Sequence, residues 1–439
     1  MRKFYKILSV VLIACIAVPL CACGVSERAK TEGSGVIDVF PGIIPGKISG
    51  DVAGGITDGG YIKDGYYLDD REVYGGEDSD IPQEYDRYGL MTASAWNDNE
   101  NYDYYKSLFF KGQEESDNGK FQKYTDPEYS WGFNSLNRIK VTVNGENGII
   151  SGAEVICVVN NEIKFTAKTD NAGVAYLFTD SESGVIRVLG TETPFDKDNR
   201  DLVIKTENSA EKLTEINLML VIDVTGSMGD ELEYLKSELK NVINRVSTAT
   251  DGAKTNLSVL FYRDDEDQEK FSAFDFTDVT KEENLTGALK FMGKQKASGG
   301  GDYPEAVDEA LELAMQKKWT DGVNIIFHVL DAPPHDEKIY QERYNKAVMS
   351  AAKQGVRICP LICSGADELC EYLVRQAAIM TGGTFCYVTD HSGIGNSHLD
   401  PDIPNAVVEK LNDLMVRLIT GYYNGTFESP VDYRTESEK

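Results

Sequence analysis

The sequence predicts a multidomain protein. An open, doubly wound α/β sheet spans residues 215–423, and a small all-β sandwich spans 137–208. Three observations carry that reading. From residue 215 onward, continuous apolar runs such as NLMLVIDV alternate with amphipathic helical segments, the pattern of a mostly parallel sheet covered on both faces. Between 137 and 208, short alternating runs are separated by turn residues. The chain has 439 residues, more than one ordinary core organises.

At the N-terminus, Arg2, Lys3 and Lys6 flank the start of the apolar run ILSVVLIACIAVPLCA, residues 7–22. That run is short for a membrane span, so residues 1–22 are expected to be a cleaved signal peptide. It ends in LCAC, with Leu20 three positions before Cys23 and the small Ala22 directly before it. Cys21 fits less well, because bulky Leu20 would fill its small preceding slot. The ending resembles the lipobox of bacterial lipoproteins. That resemblance implies acylation at Cys23 and an extracytoplasmic protein held to the cell membrane by a lipid anchor. An ordinary secretion signal is the alternative. Residues 23–89 read as a Gly/Asp-rich tether, because 14 glycines among residues 24–90 leave too little apolar surface to offset chain entropy.

Residues 90–136 read as an aromatic helical linker. Tyr102, Tyr105, Leu108 and Phe109 follow roughly helical spacing and predict one short docking helix. The sandwich follows, with IKVTV, AEVICVV, IKFTAK, VAYLF, VIRVL and DLVIK as expected antiparallel strands. The run SGAEVICVVNNEIKFTAKTDNAGVAYLF is similar to the carboxypeptidase regulatory-like, prealbumin-type module. The likeness implies a spacer or interaction module and not a peptidase.

The α/β part reads NLMLVIDV, LSVLFYR, VNIIFHVLD, VRICPLI and TFCYV as strands. Helices are expected after GDELEY, at PEAVDEALELAMQK, ERYNKAVMSAAKQG and DELCEYLVRQAAIM, and last over PNAVVEKLNDLMVRLITGYY. Residues 424–439 read as a polar tail. Beyond Cys23 there are five cysteines. Cys157 and Cys359 lie in apolar strands and read as core, whereas Cys363 could bridge to Cys386 or Cys370.

In such a sheet, ligands sit beyond the carboxyl ends of the strands, where the strand order reverses. Asp223 ends the first strand, and DVTGS places Thr225 and Ser227 at alternate positions after it. The loop ASGGGDYPEA carries Asp302 and Glu305, and Asp331 ends VNIIFHVLD. Hydroxyls and carboxylates at these spacings suit a hard cation, Mg²⁺ first and Mn²⁺ or Ca²⁺ as alternatives.

Residues 215–420 resemble a von Willebrand factor A domain. DVTGS is similar to the Asp-x-Ser-x-Ser signature of that family's metal-ion-dependent adhesion site, with threonine in the second slot. GGGD carries aspartate where many members have a threonine ligand, and LDAPPH places Asp331 at the last aspartate. The resemblance implies that Asp223, Thr225, Ser227, Asp302, Glu305 and Asp331 hold a divalent ion. The ion would then bind a carboxylate of an extracellular or envelope protein ligand. Asp-x-Pro-Glu and the pair Asp230 and Glu231 also resemble the inserted domain of integrin β chains. That likeness implies a second ion near Asp230, Glu231 and Asp264. Alternatively, these acids only stabilise a helix start, by ~0.3–1 kcal/mol, or Asp264 pairs with Arg263 or a lysine.

Composition and chemistry narrow the alternatives. With 72 acidic and 44 basic residues the net charge is −28, which repels nucleic acid and anionic headgroups. A phosphatase of the haloacid dehalogenase type needs an aspartate where Thr225 stands. His328 reads as core, His391 and His398 as loop residues, and His335, beside PPHDE, as a solvated loop histidine or alternatively one that touches the rim of the site. The expectation is a binding protein, not an enzyme. A metal-dependent hydrolase, or a structural surface protein with a stabilising metal, is the alternative.

Overall fold

The computed structural model describes residues 91–112, 119–389 and 403–433. The signal segment, Cys23, the tether, His391, His398 and the end of the polar tail lie outside them.

The chain begins with strand β1 (Thr92–Trp96) and helix α1 (Tyr102–Ser107). The linker expected over 90–136 therefore needs correcting, since its first segment is a strand of the large sheet. The helical spacing of aromatics belongs only to the residues after it. Tyr105, Leu108 and Phe109 are buried there, and Phe109 meets Phe121 and Tyr372 edge-on. Tyr124, in a 3₁₀ turn at Gln122–Thr125, stacks on Tyr372 with ring centroids 3.9 Å apart.

The sandwich has eight strands: β2 (Arg138–Gly145), β3 (Gly148–Ile149), β4 (Glu154–Val159), β5 (Glu162–Lys168), β6 (Val174–Phe178), β7 (Gly184–Val188), β8 (Thr191–Phe195) and β9 (Asp201–Lys205). In one sheet β2 pairs with β3, β6 and β9. The other runs β5-β4-β7-β8. Alternation sets the inner face, with Ile139, Val141 and Val143 of β2 buried between half-buried neighbours. The expected all-antiparallel pairing is corrected in one place: β9 runs parallel to β2. Alternation says which residues point inward, not which way a partner strand runs. The short β3 and the Pro-containing β8 carry too few apolar residues to be read from sequence.

The α/β part comprises β10 (Ile216–Asp223), α2 (Gly229–Ala249), β11 (Thr255–Tyr262), β12 (Phe271–Asp278), α3 (Glu282–Gly293), α4 (Val307–Gln316), β13 (Val323–Leu330), α5 (Lys338–Gln354), β14 (Val356–Ile362), α6 (Glu368–Thr381), β15 (Phe385–Val388), β16 (Glu409–Lys410) and α7 (Leu411–Asn424). The strand order is β12-β11-β10-β13-β14-β15-β1-β16. Strands β11, β10, β13, β14 and β15 are mutually parallel, and β12 and β1 run antiparallel at the two flanks. The last helix starts at Leu411 and not at the expected Pro404, because Glu409–Lys410 pairs with β1 first.

Every residue of β10 is buried, and successive side chains serve opposite faces. Leu218, Leu220 and Ile222 pack with α2, α3 and α7. Met219 and Val221 pack on the other face, in one apolar cluster with α4, α5, α6 and the sandwich interior. At ~1.5–3 kcal/mol for each fully buried large apolar side chain, these faces outweigh any local preference. Cys157, Cys359, Cys363, Cys370 and Cys386 are buried and free, so neither bridge considered for Cys363 forms. Among the described residues no helix is long and apolar enough to cross a membrane.

Candidate metal-binding site

Strand order reverses on either side of β10, which has β11 on one side and β13 on the other. Asp223 ends β10 and Asp331 directly follows β13, so topology brings these two acids to one crevice. The turn after Asp223 is closed by that residue itself. Thr225 donates to Asp223 Oδ1 from its backbone N–H at 2.8 Å and from Oγ1 at 2.7 Å. The Ser227 hydroxyl lies 3.5 Å from Thr225 Oγ1 and, being near the Asp331 carboxylate, counters part of the upward push that burial gives that acid.

A second loop closes over this turn. Ser298 N–H donates to Val224 O at 2.9 Å, and Gly226 N–H donates to Gly299 O at 3.2 Å. Gly299 and Gly300 have φ of +82° and +75°, a conformation that side chains resist. A Cβ on Gly300 would stand 2.9 Å from Glu305 Oε1 and 3.2 Å from Thr225 Cβ. Glycine is therefore what lets Glu305 approach Thr225. Arg263 holds the loop by donating to the backbone oxygens of Ser298, Glu269 and Lys296.

The electrostatics are those of uncompensated acids. Burial, then the neighbouring Asp331 charge, pushes Asp223 up to about 7. Burial, then Asp223 and Asp264, pushes Glu305 up to about 9. Burial also raises Asp331. Asp223 Oδ2 and Glu305 Oε2 are buried oxygens without a hydrogen-bond partner. Bare acceptor oxygens beside two hydroxyls fit a hard divalent cation, which would relieve the burial cost of the carboxylates. Asp223, Thr225, Ser227 and Asp331 would hold it, with Glu305 adjoining.

Asp302 is not bonded into this group. It is exposed and gathers with Asp264 and His335. The second ion expected at Asp230, Glu231 and Asp264 does not have those three residues together in any metal-capable cluster among the described residues. Glu231 turns instead to Ser364, whose hydroxyl donates to it at 3.1 Å, and Asp230 is exposed at the start of α2. Asp264 pairs with His335, not with Arg263 or a lysine. His328 is core as expected, within 3.3 Å of the Tyr262 hydroxyl and lowered by burial to about 3.

Sequence reasoning assigned no role in the site to three residues. Asp267 accepts from Gly300 N–H at 3.0 Å. The Tyr303 hydroxyl accepts from Asp367 N–H at 2.7 Å and lies 3.4 Å from both Asp331 O and Gly365 O. His335 is the third. The acid run RDDED signalled Asp267, and the place of His335 beside PPHDE raised contact with the site rim as an alternative; nothing local signalled Tyr303.

A family model described as "von Willebrand factor A domain" matches residues 217–369. Among curated proteins, the chain is 25% identical over 177 residues to "Alpha-protein kinase vwkA" of Dictyostelium discoideum. That match covers 35% of this chain and 28% of the relative. It is 29% identical over 133 residues to "Putative ariadne-like RING finger protein R811" of Acanthamoeba polyphaga mimivirus, covering 30% of this chain and 12% of the relative. The chain thus spans under a third of either relative. Among solved structures, the pilus adhesin SpaC from Lactobacillus rhamnosus GG in its open conformation has a TM-score of 0.31 at 11% identity, over 55% of this chain and 31% of SpaC. Proximal thread matrix protein 1 from the mussel byssus has a TM-score of 0.32 at 15% identity, over 50% of this chain and 53% of that one.

Proposed function

We propose that the protein is a surface-anchored binding protein whose von Willebrand factor A domain engages a protein ligand through a divalent cation at Asp223, Thr225, Ser227 and Asp331. The family match at 217–369 supports a protein-interaction or adhesion role. The observation that carries the cation is the pair of buried, unpartnered oxygens Asp223 Oδ2 and Glu305 Oε2 in the crevice at the strand reversal. Two hydroxyls contribute no charge, so an ion held there keeps affinity for a carboxylate from outside. An oxygen donor set favours Mg²⁺, with Mn²⁺ or Ca²⁺ as substitutes.

The same features argue for binding over catalysis. The position two after Asp223 is Thr225, and the buried His328 is held neutral and away from proton transfer at ordinary pH. Acylation at Cys23 would place the protein on the extracytoplasmic face of a membrane.

The test is capture of surface proteins by the purified chain in Mg²⁺ and in chelator. A partner retained in Mg²⁺, released by chelator and lost with Asp223→Ala supports the reading. Partners identical in both conditions would refute it. Mass spectrometry of the membrane-extracted N-terminus should find acyl chains on Cys23.

A further inference from the structure

We propose that the protein forms a two-fold dimer in which β9 of one copy pairs antiparallel with β9 of a second copy, centred on Val203. Among the described residues β9 pairs with β2 and with no other strand, so it is the outer strand of its sheet. Arg200 O accepts from Lys140 N–H at 2.8 Å, and Thr206 N–H donates to Asn144 O at 2.8 Å. Backbone groups alternate sides along a strand. These two contacts therefore turn the backbone of Leu202 and Ile204 toward β2. They turn the N–H and C=O groups of Asp201, Val203 and Lys205 outward, away from any strand of their own chain.

A second copy of the strand meets those groups in register. With Val203 opposite Val203 of the second copy, Asp201 stands opposite its Lys205, and Lys205 opposite its Asp201. Each of the three positions is then a hydrogen-bonded pair that exchanges both of its N–H···O bonds. The side chains follow the same symmetry. Asp201, Val203 and Lys205 are exposed on the outer face, Val203 at 63%, while Leu202 and Ile204 are buried within the sandwich. Charged side chains commonly guard an outer strand against pairing. Between identical copies such a guard works when its charges share one sign. Strand β9 instead carries one charge of each sign at equal distances from Val203, so a two-fold axis turns them into two cross-strand attractions. Val203 meets its own copy across the axis and leaves water.

The other outer strands lack this symmetry. In the sandwich β8 carries Pro194, which has no N–H to donate, and β3 has two residues. Strand β5 has a register shift against β4 and lies against α5, and β6 lies against α6. In the large sheet β12 also has a register shift, and its charged residues, Asp275 and Asp278, are both acids. The chain as a whole carries a net charge of −28, which opposes self-association, whereas DLVIK is neutral. The dimer does not rest on the cation. Its consequence for the crevice at Asp223 is number: a two-fold dimer presents two crevices, and a ligand array engaged by both is held more tightly than by either alone.

The test is sedimentation of the purified full chain over a range of concentrations, together with amide hydrogen exchange. Wild type should dimerise. The Val203 and Lys205 amides should exchange fast in dilute protein and slowly once it is dimeric, while those of Leu202 and Ile204 stay protected throughout. Asp201→Lys sets like charges opposite each other at both ends of the paired strands, and so does Lys205→Asp. Each should weaken self-association by at least ~10-fold. A mixture of the two variants restores opposite charges and should give a heterodimer, and the double variant should dimerise like wild type. These rescues require folded chains, so they separate lost pairing from misfolding. Wild type that stays monomeric would leave the edge to a strand of another protein and overturn the proposal. A dimer whose Val203 amide stays unprotected would overturn it too, as would single variants that dimerise like wild type or a mixture that fails to associate.

Discussion

Asp223 has one carboxylate oxygen taken up by Thr225 and the other facing no donor. Its folded pKa of about 7 lies above the ordinary carboxylate value. Between those two values the folded chain binds more protons than the unfolded one, so this residue lowers stability as pH rises. Below about pH 4 both states are protonated and the penalty vanishes. In chelator, wild type should therefore lose stability relative to Asp223→Asn as pH rises from about 4 to about 7, with little change above. Urea unfolding of both proteins at pH 5 and pH 8 measures this, and parallel pH dependences would contradict it. Mg²⁺ at ~100 times its dissociation constant should then stabilise wild type by about 2.7 kcal/mol and the variant by much less. The DVTGS turn was legible in sequence because its donors alternate along one short segment. His335 was legible only as an alternative at the rim, because what seats it is a bridge between Glu305 and Pro334, which are 29 positions apart by number.

At the scale of elements, register carries as much information as hydrophobicity. Asn217, Asn256 and Asn324 lie side by side on β10, β11 and β13, at the end of the sheet opposite the crevice. Asn217 donates to Asn324 Oδ1 at 2.7 Å and accepts from Asn256 at 2.8 Å. A slip of one residue on any of the three strands would bury these amides unpaired, so the ladder pins the strands and thereby aligns Asp223 with Asp331. Asn217→Ala leaves two neighbours short of a partner and should cost about 1–3 kcal/mol for each orphaned group. Chemical denaturation tests this, and a loss under ~0.5 kcal/mol would show that the ladder does not stabilise the sheet. Strands buried on both faces, such as β10, β13 and β14, were legible as unbroken apolar runs. Residues 271–278 went unassigned because β12 is an edge strand with exposed and half-buried positions and no apolar run. Strand β1, TASAW, was missed for a related reason: Thr92, Ala93, Ser94 and Ala95 carry little apolar surface and leave no hydrophobic signature, although the strand pairs with β15.

For the whole molecule, the main surprise is where the α/β part begins. Its strand β1 precedes the sandwich, so residues 138–205 sit between two strands of one sheet. The join is reinforced from both sides. Asn171 of the sandwich donates to Tyr423 O at the end of α7 at 2.8 Å and to Leu213 O at 2.9 Å. Asp98, just after β1, pairs with the fully buried Arg375 of α6. A chain truncated before residue 99 loses β1 and leaves Arg375 short of a carboxylate. Breaking such a buried pair costs about 3–5 kcal/mol, and the bared edge of β15 invites association. The truncated protein should melt lower and sediment as larger species than one starting at residue 91. Equal melting and equal size would contradict this. The same arrangement constrains how the molecule comes into being. Thr92 meets Thr389, 297 positions away. During synthesis β1 emerges early but has no partner until almost the entire chain has followed. The sandwich can collapse meanwhile, while the large sheet closes last, on a strand that has waited throughout. Contacts this remote in sequence are slow to form, so a chaperone that shields the waiting strand would govern yield more than one acting on the metal site.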